Sequence, residues 1–249
     1  MDLRLTGLDL KTSLSAVTDL VLPRECIVCS TRLLPYEKHI CLECLADLPF
    51  THFESLERNP MADRLNALLD TEHYEPYAYA TALFHYKSEA GYRKIPQALK
   101  YHRNFACGEY FAALLGEKLK SSPLFSDVDL VVGVPLHWTR RLKRGYNQAE
   151  VIASTVARVL GCRCESHLLV RNRRTGTQTR LSVEKKSANV KGAFSLNKSW
   201  KSDFNVKHIL IVDDVFTTGA TISGCFLAIR SRFGLKVRIS IATISIVGS

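Results

Sequence analysis

The strongest constraint on the fold is the stretch 209–221, which reads I-L-I-V-D-D-V-F-T-T-G-A-T. The four apolar residues 209–212 are typical of a buried parallel strand, because so short and β-branched a run does not favour a helix. Asp213 and Asp214 follow at the expected end of this strand. A polar turn then leads into a helical pattern over 222–233.

A strand end, a short polar turn and a helix start together predict an anion site. Free backbone N–H groups and the positive end of the helix dipole would face a phosphate. Gly219 lets the backbone approach the ligand closely, and the acidic pair would accept hydrogen bonds from sugar hydroxyls. The pattern therefore indicates a sugar phosphate ligand more than an ordinary polar turn. The candidate phosphate-binding residues are Thr217, Thr218, Gly219, Ala220 and Thr221.

The same stretch resembles the binding signature for phosphoribosyl pyrophosphate (PRPP) in type I phosphoribosyltransferases. The apolar run, the acidic pair and the T-T-G-A-T loop occur together and in that order. The resemblance implies that the loop binds the 5′-phosphate, that Asp213 and Asp214 are catalytic residues at the ribose, and that Mg²⁺ accompanies PRPP. A response-regulator receiver lacks the loop, and a haloacid-dehalogenase nucleophile needs acidic residues two positions apart.

The net charge of +10 is concentrated in two segments. Residues 138–144 include four basic residues and no acid, and residues 171–191 include seven basic residues and one acid, so these segments hold the whole excess. Concentrated basic loops favour a polyanionic ligand, either pyrophosphate or a phosphodiester backbone. The alternative is a pair of ordinary solvated surface loops.

Four of the eight cysteines are spaced as C-x2-C-x11-C-x2-C, at Cys26, Cys29, Cys41 and Cys44. Clustered cysteines in a chain without a secretory signal favour metal over disulfides. Four thiolates complete the tetrahedral shell that structural zinc prefers. We therefore expect a closed structural Zn²⁺ site, with iron in a rubredoxin-like site as the alternative.

Alternating strand and helix patterns predict an α/β fold with a doubly wound, mostly parallel sheet and a small N-terminal four-cysteine module. The expected organisation is an N-terminal helix and zinc-binding module over 1–50, a connecting segment over 51–75 and an α/β domain over 76–249, which includes a helix over 145–160. No apolar run approaches the roughly 20 residues that span a bilayer. We therefore expect a cytoplasmic protein without membrane insertion.

Further segments resemble the ComF family of phosphoribosyltransferase-like proteins. Residues 134–148, V-P-L-H-W-T-R-R-L-K-R-G-Y-N-Q, are similar to its pyrophosphate-loop region, and Lys100-Tyr101 matches a shorter motif. The run from Arg174 to Phe194 occupies the place of its flexible catalytic loop. One departure is Lys185 where the pattern has arginine, which replaces a bidentate fork with a point charge. A four-cysteine module also belongs to this family, so the resemblance covers about residues 20–248.

This resemblance implies a type I phosphoribosyltransferase-like fold with a cationic pocket for the leaving pyrophosphate. His137 is a candidate general base, and a loop histidine packed after a proline is the equally weighted alternative. The residues assigned to the pyrophosphate and flexible loops are Leu136, His137, Arg140, Arg144, Arg173, Arg174 and Lys185.

The sequence does not specify an acceptor, and three functions remain open. The first is transfer of phosphoribosyl to an unknown acceptor with release of Mg-pyrophosphate. The second is a PRPP-sensing protein without turnover. The third, which the ComF resemblance implies, is an accessory protein of natural competence that binds single-stranded DNA and works with the DNA-uptake machinery.

Overall fold

The computed structural model describes residues 23–69, 75–86, 91–101, 105–172, 192–200 and 205–248, with the backbone alone described at 101, 143 and 144. The chain divides into two compact units, one ending at Leu48 and the other beginning at Pro49. The predicted loop residues Arg173, Arg174 and Lys185 lie outside the described residues.

The smaller unit is built around the four cysteines. Glu25 and Arg32 form an isolated antiparallel bridge that encloses the first cysteine pair, and helix α1 (Leu42–Ala46) follows the third cysteine. Between the pairs, the buried carboxylate of Glu37 accepts hydrogen bonds from the N–H of Leu34 at 2.7 Å and of Leu42 at 2.8 Å. These bonds tie the intervening segment to the start of α1.

The larger unit contains a five-stranded parallel sheet. In chain order, its strands are β1 (Ala80–Tyr86), β2 (Leu130–Gly133), β3 (Arg163–Cys164), β6 (His208–Phe216) and β7 (Arg238–Val247). Their spatial order is β1-β7-β6-β2-β3, and every neighbouring pair is parallel. The remaining strands, β4 (Leu169–Arg171) and β5 (Phe194–Leu196), form a separate antiparallel pair.

Helices cover both faces of this sheet. They are α2 (Pro60–Leu69), α3 (Lys94–Tyr101), α4 (Phe105–Lys120), α5 (Trp138–Arg144), α6 (Gln148–Leu160) and α7 (Ala220–Phe233). α4 and α6 pack together on one face, and α2 and α7 pack on the other. Residues 209–212 of β6 are all fully buried, which explains their continuous apolar sequence. The predicted fold class, a doubly wound parallel sheet with a small four-cysteine module, is confirmed.

The helix expected over 145–160 begins later, at Gln148, and the separate helix α5 precedes it. Gly145 ends α5 with a φ of 81°, and the side chain of Asn147 caps α6 by accepting a hydrogen bond from Ala149 N at 3.1 Å. Residues 138–144 are mostly basic, and their two apolar residues, Trp138 and Leu142, are exposed instead of packed in the core. For this reason α5 was not expected from the sequence.

The segment 51–75 contains α2, whose Met61 and Leu65 are fully buried in the core of the larger unit. Two asparagines attach α2 to the start of β1. Asn59 Nδ2 donates to the carbonyl of Ala80, and Asn66 Nδ2 donates to that of Ala78, both at 2.9 Å. None of the described helices combines the length and apolarity needed to cross a bilayer.

Candidate functional site

Strand β6 is longer than the sequence predicts, and it carries the acidic pair inside the sheet. It continues to Phe216 instead of ending at residue 212, because β7 pairs with it beyond that point, with Asp213 opposite Thr243. β2 leaves β6 earlier, with Gly133 opposite Val212. From Asp213 onward, no strand among the described residues pairs with the edge of β6 that faced β2. We call this gap at the carboxyl ends of the strands the notch; ligands bind at this end of parallel α/β sheets.

Asp214 is held in the notch by side chains from two helices. Its side chain is only 6% exposed, and its Oδ2 lies 3.3 Å from Lys100 Nζ of α3. Gln148 Nε2 of α6 donates to the same oxygen at 3.2 Å. A buried carboxylate requires such a cation and donor to offset its lost hydration. From the sequence, Lys100 was recognised as part of a short motif but was assigned no role, and Gln148 was also assigned none.

Asp213 is less buried than Asp214, and its Oδ1 accepts a hydrogen bond from Asp214 N at 2.9 Å. Burial, followed by the charge of Asp214, raises the pKa of Asp213 to about 8, against the opposing charges of Lys100 and Arg171. Two adjacent carboxylates in one site commonly behave in this way. Asp213 therefore keeps its proton to a higher pH than a free aspartate does.

One arginine, Arg171, interacts with Asp213 from another element. Burial lowers the pKa of Arg171, the charge of Arg140 lowers it further, and the charge of Asp213 raises it. The guanidinium of Arg171, at the end of β4, lies 5.1 Å from the ring centroid of Phe194. Arg140, which was assigned to the pyrophosphate loop, thus interacts electrostatically with Arg171. Arg171 belongs to the predicted basic segment but was not among the assigned residues.

The turn 217–219 connects β6 to α7 and forms the predicted phosphate loop. Gly219 has a φ of +80°, and an added Cβ would lie 2.9 Å from Phe216 Cζ and 3.0 Å from Leu68 Cδ1. Glycine is thus required by both conformation and space. Gly219 supplies no side-chain cap to α7, and the N–H of Ala220 makes only a long hydrogen bond of 3.5 Å to Thr218 Oγ1, so an anion can compete for the N–H groups of this first turn. Thr218 and Thr221 are partly exposed beside them.

His137 has a structural role at the start of α5. Its buried Nδ1 lies 2.9 Å from Thr139 Oγ1 and accepts a hydrogen bond from Thr139 N at 3.4 Å. This cap agrees with the packed-histidine alternative more than with a general base. Leu136 is half-buried next to it, and Arg144 lies in the last turn of α5, where its backbone alone is described.

The four predicted metal ligands come together in the smaller unit. The sulfurs of Cys26, Cys29, Cys41 and Cys44 all lie within 4.8 Å of one another, and those of Cys29 and Cys41 are 3.7 Å apart. Tetrahedral Zn–S bonds of about 2.3 Å require sulfurs about 3.8 Å apart. Hydrogen bonds from Thr31 lower the pKa of Cys29 to about 6, whereas burial and the neighbouring thiols raise the pKa of Cys44, so metal binding would have to displace protons from part of the cluster. The cluster fits one metal ion such as zinc.

Sequence relatives identify the family of this chain, although no protein-family model matches it. The DNA utilization protein YhgH of Escherichia coli is 30% identical over 206 residues, an alignment that covers 80% of each chain. Competence protein F of Haemophilus influenzae is 32% identical over 130 residues, or 51% of this chain and 56% of that protein. The chain belongs to the ComF/YhgH family.

Solved structures resemble this ComF-family protein only weakly. An adenine phosphoribosyltransferase aligns with 57% of this chain and 69% of its own, at 15% identity and a TM-score of 0.33. The orotate phosphoribosyltransferase of Aeropyrum pernix aligns with 75% of this chain and 93% of its own, at 13% identity and a TM-score of 0.33. Similarity at this level assigns no activity, and membership of the family rests on the sequence relatives.

We predict that the purified ComF-family protein contains about one metal ion per chain, bound by the four cysteines. Elemental analysis should identify zinc, and iron in its place would support the rubredoxin-like alternative. Cys41→Ser should lose the metal and loosen the smaller unit, whereas Cys107→Ser, which changes a thiol outside the cluster, should keep the metal. A metal-free wild-type protein with an intact smaller unit would contradict this prediction.

We also predict that Asp213 makes the stability of the protein depend on pH. Since folding raises its pKa from 3.8 to about 8, the folded state binds the proton more tightly than the unfolded state. Stability is therefore lost as the pH rises from about 4 to about 8. Asp213→Asn should flatten this part of the Tm profile and stabilise the protein most at pH 8.5.

Thermal unfolding between pH 5 and pH 8.5 measures this effect. Glu57→Gln, which neutralises an exposed carboxylate of the same unit, is the matched control and should leave the slope unchanged. Parallel Tm profiles for the wild type and Asp213→Asn would disprove the raised pKa.

Proposed function

We propose that this ComF-family protein binds PRPP as its magnesium complex in the notch. The observation that carries the proposal is the start of α7, to which Gly219 gives no side-chain cap, in the turn that follows the strand with the acidic pair. Backbone N–H groups at a helix start favour a phosphate, and carboxylates near the end of the preceding strand favour ribose hydroxyls. A single ligand that carries both groups is a ribose 5-phosphate.

In this proposal, each part of PRPP contacts the residues that complement its charge or its hydrogen-bonding groups. The loop 217–221 binds the 5′-phosphate through backbone N–H groups and threonine hydroxyls. Asp213 accepts hydrogen bonds from the ribose hydroxyls, and Asp214, fixed by Lys100 and Gln148, holds Asp213 in place through its N–H. The pyrophosphate then lies toward Arg140 and Arg171.

These residues also suit transfer of the phosphoribosyl group. In that reaction, the bond between ribose C1 and a pyrophosphate oxygen breaks, and pyrophosphate leaves with the bonding electron pair as its magnesium complex. A nucleophilic atom of the acceptor forms the new bond to C1 and loses its proton. The arginines would stabilise the negative charge that develops on the leaving group, and the carboxylates would stabilise the positive charge on the ribose.

Calorimetric titration with MgPRPP tests this assignment. We predict that the double variant Thr217→Ala, Thr218→Ala weakens binding by about 1–3 kcal/mol, since it removes hydrogen bonds to a charged group. A matched control is Ser121→Ala with Ser231→Ala, which removes two exposed hydroxyls elsewhere and should leave the affinity unchanged. Equal affinity in both double variants would exclude the loop as the phosphate site.

Pyrophosphate release distinguishes transfer from PRPP sensing. Release across a panel of bases and amines, lost in Asp213→Asn, would support a transferase. Binding without release for the whole panel would favour the sensing protein.

A second candidate function, binding of single-stranded DNA, is favoured by the names of two relatives and by the surface of α5. The relatives are called a DNA utilization protein and a competence protein. On α5, Trp138 and Leu142 are 65% and 75% exposed, and they lie four residues apart on one face. Arg140 and Arg141 lie between them. An exposed aromatic ring with an apolar neighbour and cations on the same helix suits a stacked base and a phosphate backbone.

We predict that a fluorescent oligothymidylate binds weakly and that its affinity falls steeply with salt, by about 0.7 in log affinity per log salt for each contacted phosphate. Arg140→Gln with Arg141→Gln should lower both affinity and slope. The matched control, Arg232→Gln with Lys236→Gln, removes two exposed charges near the amino end of β7 and should change neither. MgPRPP should compete with the DNA, because Arg140 serves both ligands. Absence of binding at low salt would eliminate this candidate.

A further inference from the structure

Helix α2 contacts the phosphate loop through one arginine. Arg64 Nη2 donates to the carbonyl of Thr217 at 2.5 Å, and its Nη1 donates to the carbonyls of Gly248 at 3.2 Å and Val247 at 3.4 Å. The guanidinium also lies 5.5 Å from the ring centroid of Phe216. A single side chain thus connects the loop that follows β6 to the end of β7.

Helix α2, which carries Arg64, is fixed to the rest of the larger unit on both sides of this residue. Asn59 and Asn66, on either side of Arg64 in the sequence, bond to carbonyls next to β1, and Leu65 is fully buried. Leu68, one helical turn after Arg64, approaches the position of a Cβ at Gly219. α2 therefore presents both a cation and an apolar group to the loop from a fixed position.

The bond to Thr217 determines the orientation of the following amide. The peptide bond between Thr217 and Thr218 is trans, and in a planar trans peptide the C=O and the N–H point in opposite directions. Since the carbonyl of Thr217 points at Arg64, the N–H of Thr218 points away from α2. Without Arg64 this carbonyl would lose its charged donor. The peptide between Thr217 and Thr218 could then rotate within the exposed turn.

We propose that Arg64 is a positioning residue, which orients the phosphate loop so that the Thr218 N–H faces the 5′-phosphate. This inference rests on the proposed PRPP function. It depends on the planar fork of arginine, because two nitrogens reach carbonyls on separate segments; lysine would supply the charge at a single point. Arg64→Lys therefore keeps the positive charge of residue 64 but loses the two-nitrogen contact, so this substitution separates the effect of the charge from the effect of positioning.

The test compares Arg64→Gln and Arg64→Lys with the matched control Arg58→Gln. Arg58 is exposed and lies over the ring of Tyr77 at 5.0 Å, outside the loop. Each variant is titrated with ribose 5-phosphate, MgPRPP and magnesium pyrophosphate, and its Tm is recorded. Ribose 5-phosphate and MgPRPP carry the 5′-phosphate, whereas magnesium pyrophosphate does not.

Arg64→Gln should weaken ribose 5-phosphate and MgPRPP about tenfold and leave magnesium pyrophosphate unchanged. Arg64→Lys should recover only a small part of this loss, and Arg58→Gln should bind like the wild type. Equal weakening of all three ligands, full recovery by lysine, or no weakening at all would overturn the proposal. If Arg64→Gln does not fold, Arg64→Lys alone decides, since the proposal requires its 5′-phosphate ligands to weaken selectively.

A ligand-free measurement separates this inference from the proposed function. In the NMR spectrum, the Thr218 amide resonance should shift in both Arg64 variants and remain in place in Arg58→Gln. If the wild type binds none of the three ligands, the proposed PRPP function fails, and an unshifted Thr218 amide would in addition remove the positioning role.

Discussion

The site depends on the different lengths over which the neighbouring strands β2 and β7 pair with β6. β7 pairs with β6 as far as Phe216, while β2 pairs with it only as far as Val212. The sheet therefore holds the two carboxylates in a strand whose other edge pairs with no strand in the described part of the chain. Gly133 makes this geometry compatible with the start of α6, because an added Cβ would lie 2.8 Å from the carbonyl oxygen of Ala149. The close approach of α6 brings Gln148 to Asp214. The offset of two strands and the absence of one side chain therefore create the notch together.

The sequence predicted the features that are encoded locally. The strand, the acidic pair, the turn and the helix of 209–233 are contiguous, and each cysteine pair lies within one turn, so spacing and residue type sufficed. Lys100, Gln148 and Arg64 act through contacts with residues far away in the sequence, which no local pattern encodes. The length of β6 was underestimated for the same reason, since its last residues are in a strand only because β7 lies beside them.

The positive charges around the acidic pair explain how the proposed site can bind a polyanion next to two carboxylates. A carboxylate pair repels a polyanion, yet Lys100 lies against Asp214 and Arg171 is close to Asp213, so the pair does not present its full charge to a ligand. The raised pKa of Asp213 acts in the same direction, because partial protonation lowers the average negative charge of the pair near neutral pH. The site can therefore combine acceptors for hydroxyl groups with an electrostatic environment that tolerates phosphates.

The carboxyl end of the sheet is the candidate site because a ligand can reach its polar groups; residue type alone would not distinguish it from the opposite end. At the opposite end, His208 Nδ1 lies 2.8 Å from Asp127 Oδ1, and its Nε2 lies 2.8 Å from Ser240 Oγ. These are the residue types of a hydrolytic triad. Ser240 is fully buried, however, and His208 is 1% exposed, so no substrate reaches the hydroxyl, and burial also lowers the pKa of the histidine. The cluster satisfies polar groups at the start of β6 and β7. The notch differs because its acidic pair precedes a partly exposed turn and a helix start without a cap from Gly219, and a ligand can reach them.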